Sequence, residues 1–227
     1  FQATDAQAQY FQADQVNPFG ISSSPNSYSS PALADLDNDG DFDLLTGDVD
    51  GNFYYQENTG TSTSPVYTVA VQNPFGISSN GSYYAAPSFV DIDDDDDFDM
   101  ISAEYYGDIM YYENIGTAVA PIFALPVSNP FFLTNILIGG GNYTSSHAAF
   151  ADLDNDGDYD LMFGDDGYNL LLYYENVGDA SNPSFGPMQI NPFSIIQSGS
   201  WSNPTFVDVD GDNDFDLFIG DNSGDAK

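Results

Sequence analysis

The chain has 227 residues, 41% of them hydrophobic and 15% aromatic, and a formal net charge of −35. That apolar content supports a folded core and excludes a disordered acidic tail. One lysine and no arginine leave nothing to displace counterions from nucleic acid, and with no cysteine neither a disulfide framework nor a thiolate metal site can form.

Three markers recur along the chain. The first is Asn-Pro-Phe, at Asn17-Pro18-Phe19, Asn73-Pro74-Phe75, Asn129-Pro130-Phe131 and Asn191-Pro192-Phe193. The second is a nine-residue acidic loop with Asp at positions 1, 3, 5, 7 and 9, an aromatic at 8 and a branched apolar residue at 2. Its copies hold Asp35, Asp37, Asp39, Asp41 and Asp43; Asp91, Asp93, Asp95, Asp97 and Asp99; Asp152, Asp154, Asp156, Asp158 and Asp160; and Asp208, Asp210, Asp212, Asp214 and Asp216. The third follows the first three loops: Tyr54-Tyr55-Gln56-Glu57-Asn58, Tyr111-Tyr112-Glu113-Asn114 and Tyr173-Tyr174-Glu175-Asn176. Loop spacings of 56, 61 and 56 residues define four repeats, with the extra length in the apolar, Gly-rich stretch Leu133 to Tyr143.

Each repeat reads as β-structure. In the second, strands are predicted over Pro87–Val90, Phe98–Ser102, Asp108–Glu113 and Pro121–Leu125, separated by Gly, Asn, Asp and Pro. Four antiparallel strands in about 56 residues make one propeller blade, which must stack on neighbours to bury its faces. The expected fold is all-β, a four-bladed β-propeller with blades at about 17–72, 73–128, 129–190, and 191–227 plus 1–16. The last assignment rests on spacing. The chain stops where other repeats begin their third strand, and Gln9-Tyr10-Phe11-Gln12 precedes the first Asn-Pro-Phe. The N-terminal residues are therefore expected to supply the outer strands of the fourth blade. Within one chain this closes a ring; between chains it is strand donation and makes a polymer.

The loops hold 22 of the 36 acidic residues, so most of the acidity is ligand-like, a halophile-type acid coat being the lesser account. Alternate carboxylates on a tight loop converge on one point, and an all-oxygen donor set selects Ca²⁺ over zinc or copper. Loops this simple bind calcium at roughly 10⁻⁴–10⁻³ M, a range suited to the outside of a cell. No apolar run approaches the ~20 residues needed to span a bilayer, and the chain reads as a mature secreted segment. Asn80-Gly81-Ser82 and Asn142-Tyr143-Thr144 are glycosylation sequons by pattern.

The run Pro-x-Phe-x-Asp-x-Asp-x-Asp-Gly-Asp-x-Asp-Leu, followed by a Gly turn and Tyr-Tyr-x-Asn-x-Gly, resembles the FG-GAP (VCBS-like) repeat, the calcium-binding propeller blade of integrin alpha subunits and many secreted bacterial proteins. The resemblance implies one Ca²⁺ per loop, about four in all, held by side chains at positions 1, 3, 5 and 9 and the backbone carbonyl at 7. The carbonyls would be those of Asp41, Asp97, Asp158 and Asp214. Position 6 is glycine at Gly40 and Gly157, where a sharp turn favours positive φ, but Asp96 in the second loop and Asn213 in the fourth.

The remaining signals are weaker. His147, the only histidine, sits where other repeats have Ser30, Ala86 and Asn203 and reads as surface decoration. One tyrosine of each pair is expected between blades and the other outward or toward a turn, where a sugar could stack; Trp201 is a lesser candidate. The expected role is non-catalytic and structural or adhesive, in a surface protein or extracellular filament. Expected partners are further copies of the chain, through strand donation or end-to-end packing, and a glycan or protein ligand. A carbohydrate-binding lectin and a propeller hydrolase are the rivals.

Overall fold

In the computed structural model the residues described are 16–22, 26–79, 81, 83–134, 136, 147–165, 170–195, 202–212 and 214–220. They form β-sheet with two short 3₁₀ turns, Pro18–Gly20 and Pro192–Ser194, and no α-helix. The first blade is a meander of β1 (Ser30–Ala34), β2 (Asp43–Gly47), β3 (Phe53–Gln56) and β4 (Val71–Gln72). The second repeats it with β5 (Ala86–Val90), β6 (Asp99–Ala103), β7 (Ile109–Tyr112) and β8 (Val127–Ser128), and the third with β9 (Ala149–Ala151), β10 (Asp160–Gly164), β11 (Leu171–Tyr174) and β12 (Gln189–Ile190). The fourth contributes β13 (Asn203–Val207) and β14 (Asp216–Gly220). All pairings are antiparallel.

The sheets form a four-bladed β-propeller. One cavity of about 520 Å³ is lined by the inner strands of all four: Pro31 and Ala32 of β1, Phe89 of β5, Phe150 of β9, and Pro204 and Phe206 of β13. Three cores fill the spaces between successive blades. Phe53 and Tyr55 pack with Met100 and Tyr112, Ile101 and Ile109 with Phe163 and Leu172, and Met162 and Leu171 with Ile219. Because the second and third sheets are covered on both faces, their central strands carry near-continuous apolar runs instead of clean alternation, and β6 and β10 are buried along their whole length, whereas β13 and β14 are largely exposed or half-buried among the described residues.

One sequence expectation changes. The predicted fourth strand at Pro121–Leu125 is a turn returning to the sheet. Phe123 makes only an isolated bridge to Asn114, and the outer ladder is the two-residue β8 paired with Met110 and Tyr111. The Asn114 side chain causes this, its Oδ1 accepting from the N–H groups of both Gly116 (3.0 Å) and Ile122 (3.0 Å) and pinning the turn shut. The Asn-Pro-Phe marker is a clasp between blades. Asn73 Oδ1 accepts from Phe53 N–H (2.8 Å) on its own blade, while the Phe75 carbonyl accepts from Phe123 N–H (2.8 Å) on the next. The Asn and Phe of all four copies take the left-handed conformation, at φ between 47° and 57°. Residues 1–15 and 221–227, both sequons' asparagines and Trp201 lie outside the described residues, so blade completion by the N-terminus does too.

Candidate metal centre

Each acidic loop joins the two inner strands of its blade, so all four are carried at the same end of β1, β5, β9 and β13. The fold of the loop is written into its own side chains. Asp35 Oδ1 accepts from Asp39 N–H (3.0 Å) and Oδ2 from Gly40 N–H (2.9 Å), and Asp39 Oδ1 accepts from Asp41 N–H (3.1 Å). Asp91 and Asp95 repeat this pattern in the second loop, and Asp152 and Asp156 in the third. In the fourth, Asp208 Oδ1 accepts from the N–H groups of Gly211 and Asp212, and Asp212 Oδ1 from that of Asp214. These bonds use one side of each carboxylate and leave the remaining lone pairs to converge.

Carboxylate oxygens of positions 1, 3 and 5 lie within 4.8 Å of one another in three loops: Asp35, Asp37 and Asp39; Asp91, Asp93 and Asp95; Asp152, Asp154 and Asp156. The fourth brings together Asp208, Asp210 and Asp216. Buried oxygens without a hydrogen-bond partner test whether a cation fits. Four side-chain oxygens are in that state among the described residues, and all belong to these loops: Oδ1 of Asp37, Asp41, Asp97 and Asp158. A buried, unpaired carboxylate oxygen costs free energy unless a cation takes it, so the donor set suits a hard divalent ion. Three of the four sit at position 7, where the resemblance implied only a backbone carbonyl.

Position 9 behaves differently. In the first three loops its carboxylate is almost wholly buried and already engaged. Asp43 accepts from Tyr55 Oη–H (2.8 Å) and Asn58 N–H (2.8 Å), Asp99 from Tyr111 (2.9 Å) and Asn114 (2.7 Å), and Asp160 from Tyr173 (2.9 Å) and Asn176 (2.8 Å). Here the tyrosine marker finds its function through a shared Tyr-x-x-Asn spacing, Tyr55 to Asn58, Tyr111 to Asn114 and Tyr173 to Asn176: it braces the loop from the third strand. That role was missed, although its recurrence in step with the loops was the available signal. Both tyrosines of each pair are buried, at 8% exposure or less, so none faces outward; the alternative, a tyrosine turned toward the adjoining turn, is met by Tyr55, Tyr111 and Tyr173, whose hydroxyls reach the acidic loops. A third strand covered by neighbouring blades on both faces has no outward side.

The electrostatics record the strain of packed carboxylates. Burial pushes Asp99 up to about 7 and Asp43 to about 6, against the hydrogen bonds that brace them. Asp97 and Asp158 are pushed up to about 6 by burial and then by neighbouring aspartates. Asp37 and Asp93 are raised for the same reasons, and Asp214 chiefly by Asp212.

Turn chemistry at position 6 follows the sequence. Gly40 and Gly157 take φ of 94° and 98°, and Asp96 is held at 71°. Position 4 is also left-handed, at Asn38 (57°), Asp94 (58°), Asn155 (67°) and Gly211 (78°), a requirement legible in hindsight from the Asn, Asp and Gly found there. Asp96→Gly should therefore stabilise the protein by about 1 kcal/mol, by relieving the Cβ clash while keeping the N–H bond to Asp91. Urea unfolding of the two proteins checks this.

His147 is not surface decoration. It is half-buried near the axis, with Nε2 2.9 Å from Ser30 Oγ of the first blade and Nδ1 3.3 Å from Asn203 Nδ2 of the fourth. Those residues occupy the matching positions of their repeats. Equivalent positions in a ring of blades converge on the axis, which a linear reading does not reveal.

Residues 152–219 match the FG-GAP-like repeat family, and the loop spacing of that segment recurs in the rest of the chain. No curated protein matches the chain. Among solved structures, the Tc holotoxin pore of Photorhabdus luminescens is similar, with a TM-score of 0.52 and 17% identity over 88% of this chain. The matched region is 9% of that much longer chain, and at this identity the likeness concerns the fold alone.

Proposed function

We propose that this FG-GAP-like repeat chain is a calcium-clamped propeller module of the cell exterior, structural or adhesive in role and without catalysis. One observation carries the reading: the partnerless buried carboxylate oxygens of the described residues all lie in the repeated loops. Positions 1, 3 and 5 supply the ligands in the first three loops, with the position 7 residues Asp41, Asp97 and Asp158 beside them; Asp208, Asp210 and Asp216 supply the fourth. Position 9 of the first three loops couples the ion to the third strand through its tyrosine and asparagine partners. The bound cation neutralises carboxylates that would otherwise repel one another, and so holds the inner strands in register.

The exterior location is supported by the weak calcium affinity expected of such loops. No helix among the described residues is long and apolar enough to cross a membrane, which leaves strand-built spans unaddressed. Assembly through strand donation is supported by the edge of β14, which among the described residues pairs with β13 alone. It is supported also by Asn17–Phe19, which takes the left-handed geometry that elsewhere directly follows an outer strand. On this reading residues 1–16 would supply the outer strands of the fourth blade, in their own chain or in the next.

Isothermal titration of chelator-stripped protein with Ca²⁺ tests the central claim. About four ions per chain are expected, with affinities near 10⁻⁴–10⁻³ M. Uptake of one or none would overturn it.

A further inference from the structure

The inner strands carry the acidic loops at one end. At the other end, roughly 15 Å away along a five-residue strand, lies a different kind of site. Tyr84 and Tyr105 stack with planes 12° apart and centroids 5.5 Å apart. Tyr28 meets Tyr84 edge-on at 5.0 Å, and Tyr83 and Tyr106 meet Tyr105 edge-on at 5.9 and 5.0 Å. Tyr28, Tyr83 and Tyr106 are each more than half exposed, unlike the tyrosines of the third strands. Tyr28 and Tyr84 also wall a cavity of about 200 Å³ that opens at the axis.

Ala85 and four uncharged polar residues, Ser29, Ser30, His147 and Asn203, complete the lining among the described residues. The imidazole lines both this cavity and the larger one on the axis, and so divides them. The His147 ring is held between Ser30 Oγ, the Asn203 amide and the Pro31 backbone, which fixes it across the pocket. The Ser30 hydroxyl and the Asn203 amide each both donate and accept, and are the polar groups that the pocket offers a ligand. Burial lowers the histidine pKa, which keeps the ring neutral.

We propose that this pocket binds one neutral pyranose unit of a glycan. Aromatic walls suit the C–H face of a sugar, while paired neutral donors and acceptors suit its hydroxyls. The volume admits a single ring. Charge selects further: a chain of net charge −35 with one lysine repels anionic sugars, and the lining residues among those described carry no formal charge that calls for a cationic one. The site is distinct from the acidic loops and does not rest on their occupancy.

Saturation-transfer NMR on the calcium-supplemented protein tests it, using the methyl glycosides of glucose, galactose, mannose and N-acetylglucosamine, with N-acetylneuraminic acid as anionic control. At least one neutral glycoside should bind with a Kd of about 1 mM and the anion should not. Tyr28→Ala and Asn203→Ala should each weaken binding about tenfold or more, equivalent to about 1.4 kcal/mol, with melting unchanged, because both side chains are exposed. Tyr159→Ala, in a loop at the opposite end, should bind as wild type. No signal from any neutral glycoside, equal binding of the anion, or wild-type binding by both pocket variants would overturn the proposal. A protein that takes up calcium but no glycoside would overturn this inference and leave the calcium reading standing.

Discussion

Excess EDTA at about pH 7.5 should lower the melting temperature of the protein by about 20 °C or more. Measured against protein in about 10 mM Ca²⁺, about 100 times the tighter expected dissociation constant of about 10⁻⁴ M, each filled site stabilises the folded state by about 2.7 kcal/mol, so four contribute about 11 kcal/mol. The whole margin of a domain is roughly 5–15 kcal/mol. For a chain of this size each kcal/mol moves the midpoint by about 2–4 °C. The loss should be greater than ligand removal alone suggests, because the apo loops retain buried, mutually repelling carboxylates. An unchanged melt in chelator would show that the loops fold as plain acidic turns.

The same carboxylates set a pH dependence of opposite sign in the two states. Asp99 is pushed up to about 7, and Asp43, Asp97 and Asp158 to about 6, from the ordinary 3.8. An acid whose folded pKa exceeds its unfolded pKa binds protons more tightly when folded, so folding is favoured as pH falls through that window. In chelator, therefore, the melting temperature should rise between about pH 8 and pH 5. With calcium present, protons compete with the ion for the same oxygens, and affinity should fall over that range. Differential scanning calorimetry across the window, with and without calcium, separates the two slopes. Parallel curves would contradict the assignment.

The sequence made the repeat, the blade count and the loop positions legible because those features are local and periodic. Alternating aspartates need no tertiary information to be seen as converging. What it concealed came from contacts between repeats. Tyr55, Tyr111 and Tyr173 read as half of an alternating strand, yet their hydroxyls brace aspartates 12 or 13 residues earlier. Position 9 read as a ligand, and nothing local showed that in the first three loops its carboxylate also accepts from a tyrosine hydroxyl and an asparagine N–H. Asn114 read as part of a strand marker, but its side chain shapes the turn that displaces the outer strand. His147 lost its meaning most completely, since its partners are 117 and 56 residues away and meet it only once four blades surround one axis.

The contrast between positions 5 and 9 supplies the second large effect. Asp99→Ala should destabilise the protein by roughly 3–5 kcal/mol even in chelator, whereas Asp95→Ala should cost little there. Asp99 is 2% exposed and accepts from Tyr111 Oη–H and Asn114 N–H; truncation strands both donors in the interior. Each stranded donor costs about 1–3 kcal/mol. Asp99→Asn should fall between, because an amide oxygen can still accept one of the two bonds while its NH₂ faces the other donor. Asp95 is exposed, and its side chain accepts a 3.2 Å hydrogen bond from Asp97 N–H within the loop. Its removal takes a ligand from the cation and a negative charge from the crowded loop, so calcium stoichiometry should drop by about one while the chelator melt stays level. Urea unfolding in chelator, at a pH where the parent chain still gives a cooperative transition, measures both variants. Equal losses would mean that position 9 is no more a structural brace than its neighbours, and that the third strand does not hold the loop.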